Sequence, residues 1–128
     1  MRAVLALLLL AAPAGAETLT LQMGESATLL ERFQDPDGPA GPVVRYRFVA
    51  PGLAGLERAL TVEEIAQEMD MLCATVVLPE VAAVPDLPDE VVITLMDRPV
   101  AFGTPAPDAT QYFEAYRIVD GTCVWEGF

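Results

Sequence analysis

Two cysteines constrain this chain more than any other feature. Cys73 and Cys123 stand 50 residues apart in a sequence of 128, and each falls on the inward side of an element whose pattern is legible. Thr61 followed by Glu64 forms a capping box, so a helix starts there. Val62, Ile65, Ala66, Met69, Leu72, Cys73 and Val76 then recur at helical spacings along one apolar stripe, with Glu63, Glu64, Gln67, Glu68 and Asp70 elsewhere. At the other end, Asp120-Gly121 is the preferred two-residue hairpin turn. It pairs Val119 with Thr122, Ile118 with Cys123, Arg117 with Val124 and Tyr116 with Trp125. Tyr116, Ile118, Cys123 and Trp125 therefore share one side of the hairpin, and Arg117 and Val124 the other. Both sulfurs point into one core. A Cys73–Cys123 disulfide joining the helix to the last strand would stabilise the fold by roughly 4 kcal/mol in the chain-entropy account.

Disulfides persist outside the reducing cytoplasm, and the N-terminus carries a matching address. Arg2 precedes an apolar run from Ala3 to Ala12, followed by Pro13 and the small triplet Ala14-Gly15-Ala16. This predicts a secretory signal peptide over residues 1–16, cleaved before Glu17. The apolar run is about half the roughly 20 residues that span a bilayer, so no stable membrane insertion is expected after cleavage. The mature protein is placed in the periplasm or outside the cell. No cysteine follows the cleavage site to accept a lipid, and no arginine pair precedes the run, so general export is expected.

Cleavage leaves residues 17–128 as a single domain, long enough to bury a core. Its six arginines face 19 acidic residues, a net charge of −13 that repels nucleic acid and anionic lipid. Such acidity reads first as solubility and second as a docking face for a basic partner. Histidine, lysine and asparagine are absent, and Ser26 is the one serine. That removes the imidazole base of serine and cysteine hydrolases, the imidazole ligands of zinc, and lysine Schiff-base chemistry. No cofactor is expected. Neither is a metal: Asp35 and Asp37 lack the rest of a calcium-ligand ladder, and Met69 and Met71 read as core filling.

Thr18 to Gln22 and Ala27 to Phe33 read as two strands of a hairpin, and the proline- and glycine-dense stretch from Asp35 to Pro42 as a surface loop. Val43 to Ala50 alternates, with Val44, Tyr46 and Phe48 facing a core and Arg45 and Arg47 facing solvent. The helix is expected to end near Leu78-Pro79. Val91 to Met96 suits a central strand buried on both sides, and Val100 to Gly103 would continue it past a bulge at Pro99. Strand structure resumes from Phe113. The fold class is α+β: a mostly antiparallel sheet, one long helix packed on one face, and a disulfide from that helix to the last strand.

Arg45, Arg47, Arg98 and Arg117 are the candidate site for an anion or an anionic partner, since clustered guanidinium groups grip carboxylate or phosphate in forked geometry. The competing reading is ion pairing with Glu31, Glu114 or Glu126. Asp97, Glu114 and Tyr116 are the acid/base groups of an alternative hydrolase reading, which requires a closely spaced carboxylate pair. Trp125 reads as a core anchor, with an exposed aromatic binding edge as its alternative.

The segment Leu95-Met96-Asp97-Arg98-Pro99-Val100 with Phe102-Gly103, the run Ala109-Thr110-Gln111 leading to Phe113-Glu114-Ala115-Tyr116-Arg117, and the ending Asp120-Gly121, Cys123 and Trp125-Glu126-Gly127-Phe128 resemble a family of small exported alphaproteobacterial proteins of unknown function. Arg47-Phe48-Val49-Ala50-Pro51 and Leu72-Cys73 fit the same pattern. The resemblance implies export and the cysteine pair, and implies no activity, cofactor or catalytic residue. The expected function is that of a small exported binding or accessory protein, not an enzyme, acting on a protein or a small anionic ligand. A small carboxylate-dependent hydrolase and a secreted inhibitor of a basic enzyme are the alternatives.

Overall fold

The computed structural model describes residues 17–127, so the predicted signal peptide lies outside the described residues. Six strands form one sheet in sequence order: β1 (Thr18–Thr20), β2 (Ser26–Gly38), β3 (Gly41–Val49), β4 (Glu90–Met96), β5 (Gln111–Val119) and β6 (Thr122–Glu126). Neighbouring strands are antiparallel except β3 and β4, which run parallel. The sheet is thus mixed, largely but not wholly antiparallel. The parallel pair follows from the connection. Residues 50–89 contain the helix, and a helical crossover returns the chain to the same end of the sheet, where a hairpin would have reversed it.

The helix begins at α1 (Val62–Leu72), and its capping box is complete: Thr61 Oγ1 accepts from the Glu64 amide at 3.1 Å, and Glu64 Oε1 accepts from the Thr61 amide at 2.9 Å. It does not stop at Pro79. A π-helical turn, Cys73–Val77, leads into α2 (Leu78–Ala83), with the Leu78 amide bonded to the Cys73 carbonyl. Proline lacks an N–H and its ring crowds the carbonyl four residues back; the wider turn just before it relieves that crowding, which the local pattern did not reveal.

The helix packs on one face of the sheet. Phe48, Tyr46, Ile93, Leu95 and Tyr116 from the strands meet Met69, Leu72, Cys73, Val76 and Val77 from the helix, all buried. Two tyrosine hydroxyls fasten the layers, Tyr116 donating to Asp70 at 2.6 Å and Tyr46 to Glu80 at 3.0 Å. Burial, reinforced by these carboxylates, raises both phenol pKa values. Glu68, read from sequence as part of the polar side, is buried. Its two carboxylate oxygens accept the amides of Gln22 and Met23, each at 2.8 Å, which holds the β1–β2 turn against α1. The Cys73–Cys123 disulfide is present, with Cα atoms 6.4 Å apart, and the β5–β6 register matches the predicted pairing residue for residue. Asp120 and Gly121 both have positive φ, as that turn requires.

Two segments depart from expectation. The stretch from Asp35 to Pro42 is largely strand and tight turn, not loop: β2 runs on to Gly38 and pairs Asp35 with Val43 and Gly38 with Gly41. The register slips between Asp35 and Gly38, around Pro36, where proline can offer no ladder donor. A Cβ at Gly38 would sit 2.5 Å from the Gly41 carbonyl oxygen, so this turn closes only without a side chain there. Conversely, Val100 to Gly103 is not strand. Residues 97–110 form a strap that folds over the sheet face opposite the helix, burying Val100.

Candidate functional site

Alternation along β3 places Arg45 and Arg47 on the face away from the helix, as predicted, but that face is not solvent there. The side chain of Arg47 is only 4% exposed and that of Arg45 14%. The strap covers them: the Phe102 ring lies 4.8 Å from the Arg45 guanidinium carbon and 5.6 Å from that of Arg47, and meets Phe33 edge-on at 5.1 Å. Each guanidinium also has an internal carboxylate. Arg45 donates to Asp35 at 2.7 Å, holding that carboxyl below its usual pKa. Arg47 donates to Glu31 at 2.5 Å and to the Val100 carbonyl at 2.6 Å. These arginines bind the strap and β2 to the sheet.

Arg117 shares the face but belongs to a second network. Its guanidinium reaches Glu126 at 2.8 Å, Asp89 at 3.2 Å and Glu90 at 3.6 Å. Burial, together with a hydrogen bond that the protonated Glu90 donates to Glu126 and the charge of Glu126, pushes the Glu90 carboxyl up, while Arg117 pulls Glu126 down. Arg98 is exposed and bonds its own neighbour, Asp97, at 3.0 Å. The four candidate arginines thus occupy three separate settings, each already neutralised. Of the anticipated partners, Glu31 and Glu126 are engaged, whereas Glu114 instead accepts the Trp125 indole N–H.

The candidate acid/base groups do not converge. Glu114 pairs across the ladder with Ile93, four residues from Asp97 along β4, which puts roughly 13 Å of strand between them. Asp97 is buried, and Arg98 holds its carboxyl below the usual range. The Tyr116 hydroxyl is committed to Asp70. Among the described residues, no group of three acidic or thiol side chains is placed to hold a metal ion.

Two features remain open. A cleft of about 650 Å³ lies between the β1–β2 turn, the segment ahead of α1 and the first turns of α1; Met23, Leu56 and Leu60 supply its apolar surface and Glu57, Glu64 and Gln67 polar groups. Arg58 bridges Glu64 there through both nitrogens, at 2.8 and 2.9 Å, and this with the Thr61 amide lowers the Glu64 pKa to about 2. The second feature is the β5–β6 hairpin. Of the eight exposed large apolar side chains among the described residues, four are on it: Phe113, Val119, Val124 and Trp125. Trp125 is 57% exposed and is not a core anchor. The alternative weighed from sequence, an exposed aromatic edge, describes its position. What sequence reasoning missed is Val124 beside it on the opposite face, exposed at 44% and visible in the pattern only as the polar-side partner of Arg117.

The described residues include no helix long and apolar enough to cross a membrane. No match was found among curated proteins or among solved structures. One family model does match, over residues 5–128, and by that match the chain belongs to DUF6497, a family of unknown function.

Proposed function

We propose that this protein is exported and acts by binding another extracytoplasmic protein, as an accessory factor and not as a catalyst. One observation carries the reading. The groups that could do chemistry are consumed by internal partners, while exposed apolar side chains gather on the last hairpin. Exposed aromatic and aliphatic side chains concentrated on one edge element favour that element as the contact surface. Support for export comes from the leader-like residues 1–16 and the disulfide, which an oxidising compartment maintains.

Expression of the full chain followed by fractionation and mass spectrometry should find Glu17 as the first residue, outside the cytoplasm. An intact Met1 in the cytosolic fraction would overturn export. Chemical crosslinking in that compartment should join the wild type to a partner that is lost with the Val124→Ser, Trp125→Ser double variant. Crosslinking that is absent, or indifferent to those substitutions, removes the hairpin as the contact.

A further inference from the structure

The outer edge of β6 has no strand partner among the described residues, and its one charged side chain, Glu126, stands at its very end. Natural edge strands are blunted by charged side chains, lysine above all, by proline, by bulges or by very short length. β1, the opposite edge, is three residues long. β6 has five residues, a continuous register with β5, no proline and, like the whole chain, no lysine. Its two central outward side chains are Val124 on one face and Trp125 on the other, both about half exposed. An edge so built is a template for another strand.

The charge around that edge selects the strand. Glu126 ends β6, Asp120 sits in the hairpin turn, and Glu114 lies against the Trp125 indole. The nearest guanidinium, Arg117, is outnumbered by Asp89 and Glu126. A second copy of the exported chain would bring its own strongly negative net charge, −12 over the full sequence and −13 without Arg2, to the same edge, so self-pairing is opposed electrostatically. A lysine or arginine opposite Trp125 would rest on the indole face beside Glu114, where ring and carboxylate both attract it. An apolar residue opposite Val124 would cover that side chain.

Building on the binding reading above, we infer that β6 receives an extended, basic segment of a partner protein by strand addition, with cationic and apolar residues alternating along it. Backbone pairing would supply the affinity, and the Trp125 and Val124 positions the selectivity.

Trp125 is the sole tryptophan, so its fluorescence reports directly on the edge. A synthetic hexapeptide alternating lysine and valine should shift and partly quench that emission, and the effect should weaken with added salt. The matching glutamate–valine peptide should have no effect. N-methylation of alternate amides should abolish binding in one phase and spare it in the other, because only one set of N–H groups faces the template. Val124→Lys, an edge lysine at an exposed site, should weaken binding at least about tenfold while the melting curve stays that of the wild type. The inference is overturned if the lysine–valine peptide leaves the emission unchanged at millimolar concentration, if the glutamate peptide binds equally, or if both N-methylated forms bind alike. It is also overturned if light scattering shows a dimer that occupies the edge. Should the crosslinked partner be lost with the hairpin variant while these peptide tests fail, the binding function stands and strand addition does not.

Discussion

Arg47 illustrates how a residue can be assigned to the right face and the wrong environment. Its alternation with Tyr46 and Phe48 is correct, and its guanidinium is nonetheless buried between Glu31, the Val100 carbonyl and the Phe102 ring. Its value is therefore structural. Arg47→Ala leaves the Val100 carbonyl and the Glu31 carboxylate without their donor, although Glu31 is exposed enough to recover water. A loss of about 2 kcal/mol is expected, the range for a hydrogen bond to a charged group. Urea denaturation measures it, and a change within error of zero would show that the strap does not depend on this side chain.

At the scale of elements, the β4–β5–β6 corner is held by carboxylates that do not all favour the same protonation state. Glu90 has a raised pKa, chiefly through burial, so the native state holds its proton more tightly than the unfolded chain does. Its contribution is complete below the ordinary value of 4.5 and is lost as pH rises through the raised value. Glu126 is lowered by Arg117, so its contribution is present above 4.5 and disappears as pH falls through the lowered value. Glu90→Gln keeps a neutral hydrogen-bond donor facing Glu126 at every pH. Melting temperatures followed from mildly acidic to neutral pH should fall less in this variant than in the wild type. A wild type that declines no more than the variant would show that Glu90 does not titrate above its ordinary range within that window.

On the scale of the whole molecule, the disulfide crosses from the end of α1 to the edge strand β6 and joins the helical layer to the sheet at the rim. It also steadies the strand proposed to receive a partner. Replacing both cysteines by alanine should cost roughly 2–4 kcal/mol and lower the melting temperature. Because β6 would be loosened most, amide exchange should rise first at Thr122 to Glu126. Uniform acceleration across the sheet would instead mean that the bond stabilises the fold without fixing the edge.

The features that the sequence determined by itself are those encoded by neighbours along the chain. The capping box at Thr61 and Glu64, the Asp120-Gly121 turn with its register, the inward placement of both cysteines and the doubly buried β4 all depend on spacing within a few residues. Tertiary structure alone decided the rest, because the deciding partner lies far away in sequence. Parallel pairing of β3 with β4 depends on where the helix returns the chain, and the passage of β2 through Pro36 depends on a β3 partner that tolerates a slipped register. Burial of Arg45 and Arg47 depends on a strap more than 50 residues downstream. Periodicity specifies which way a side chain points. Whether water or protein meets it there is settled by what the remaining chain can spare to cover that face, and at Val124 and Trp125 it leaves about half of each side chain open.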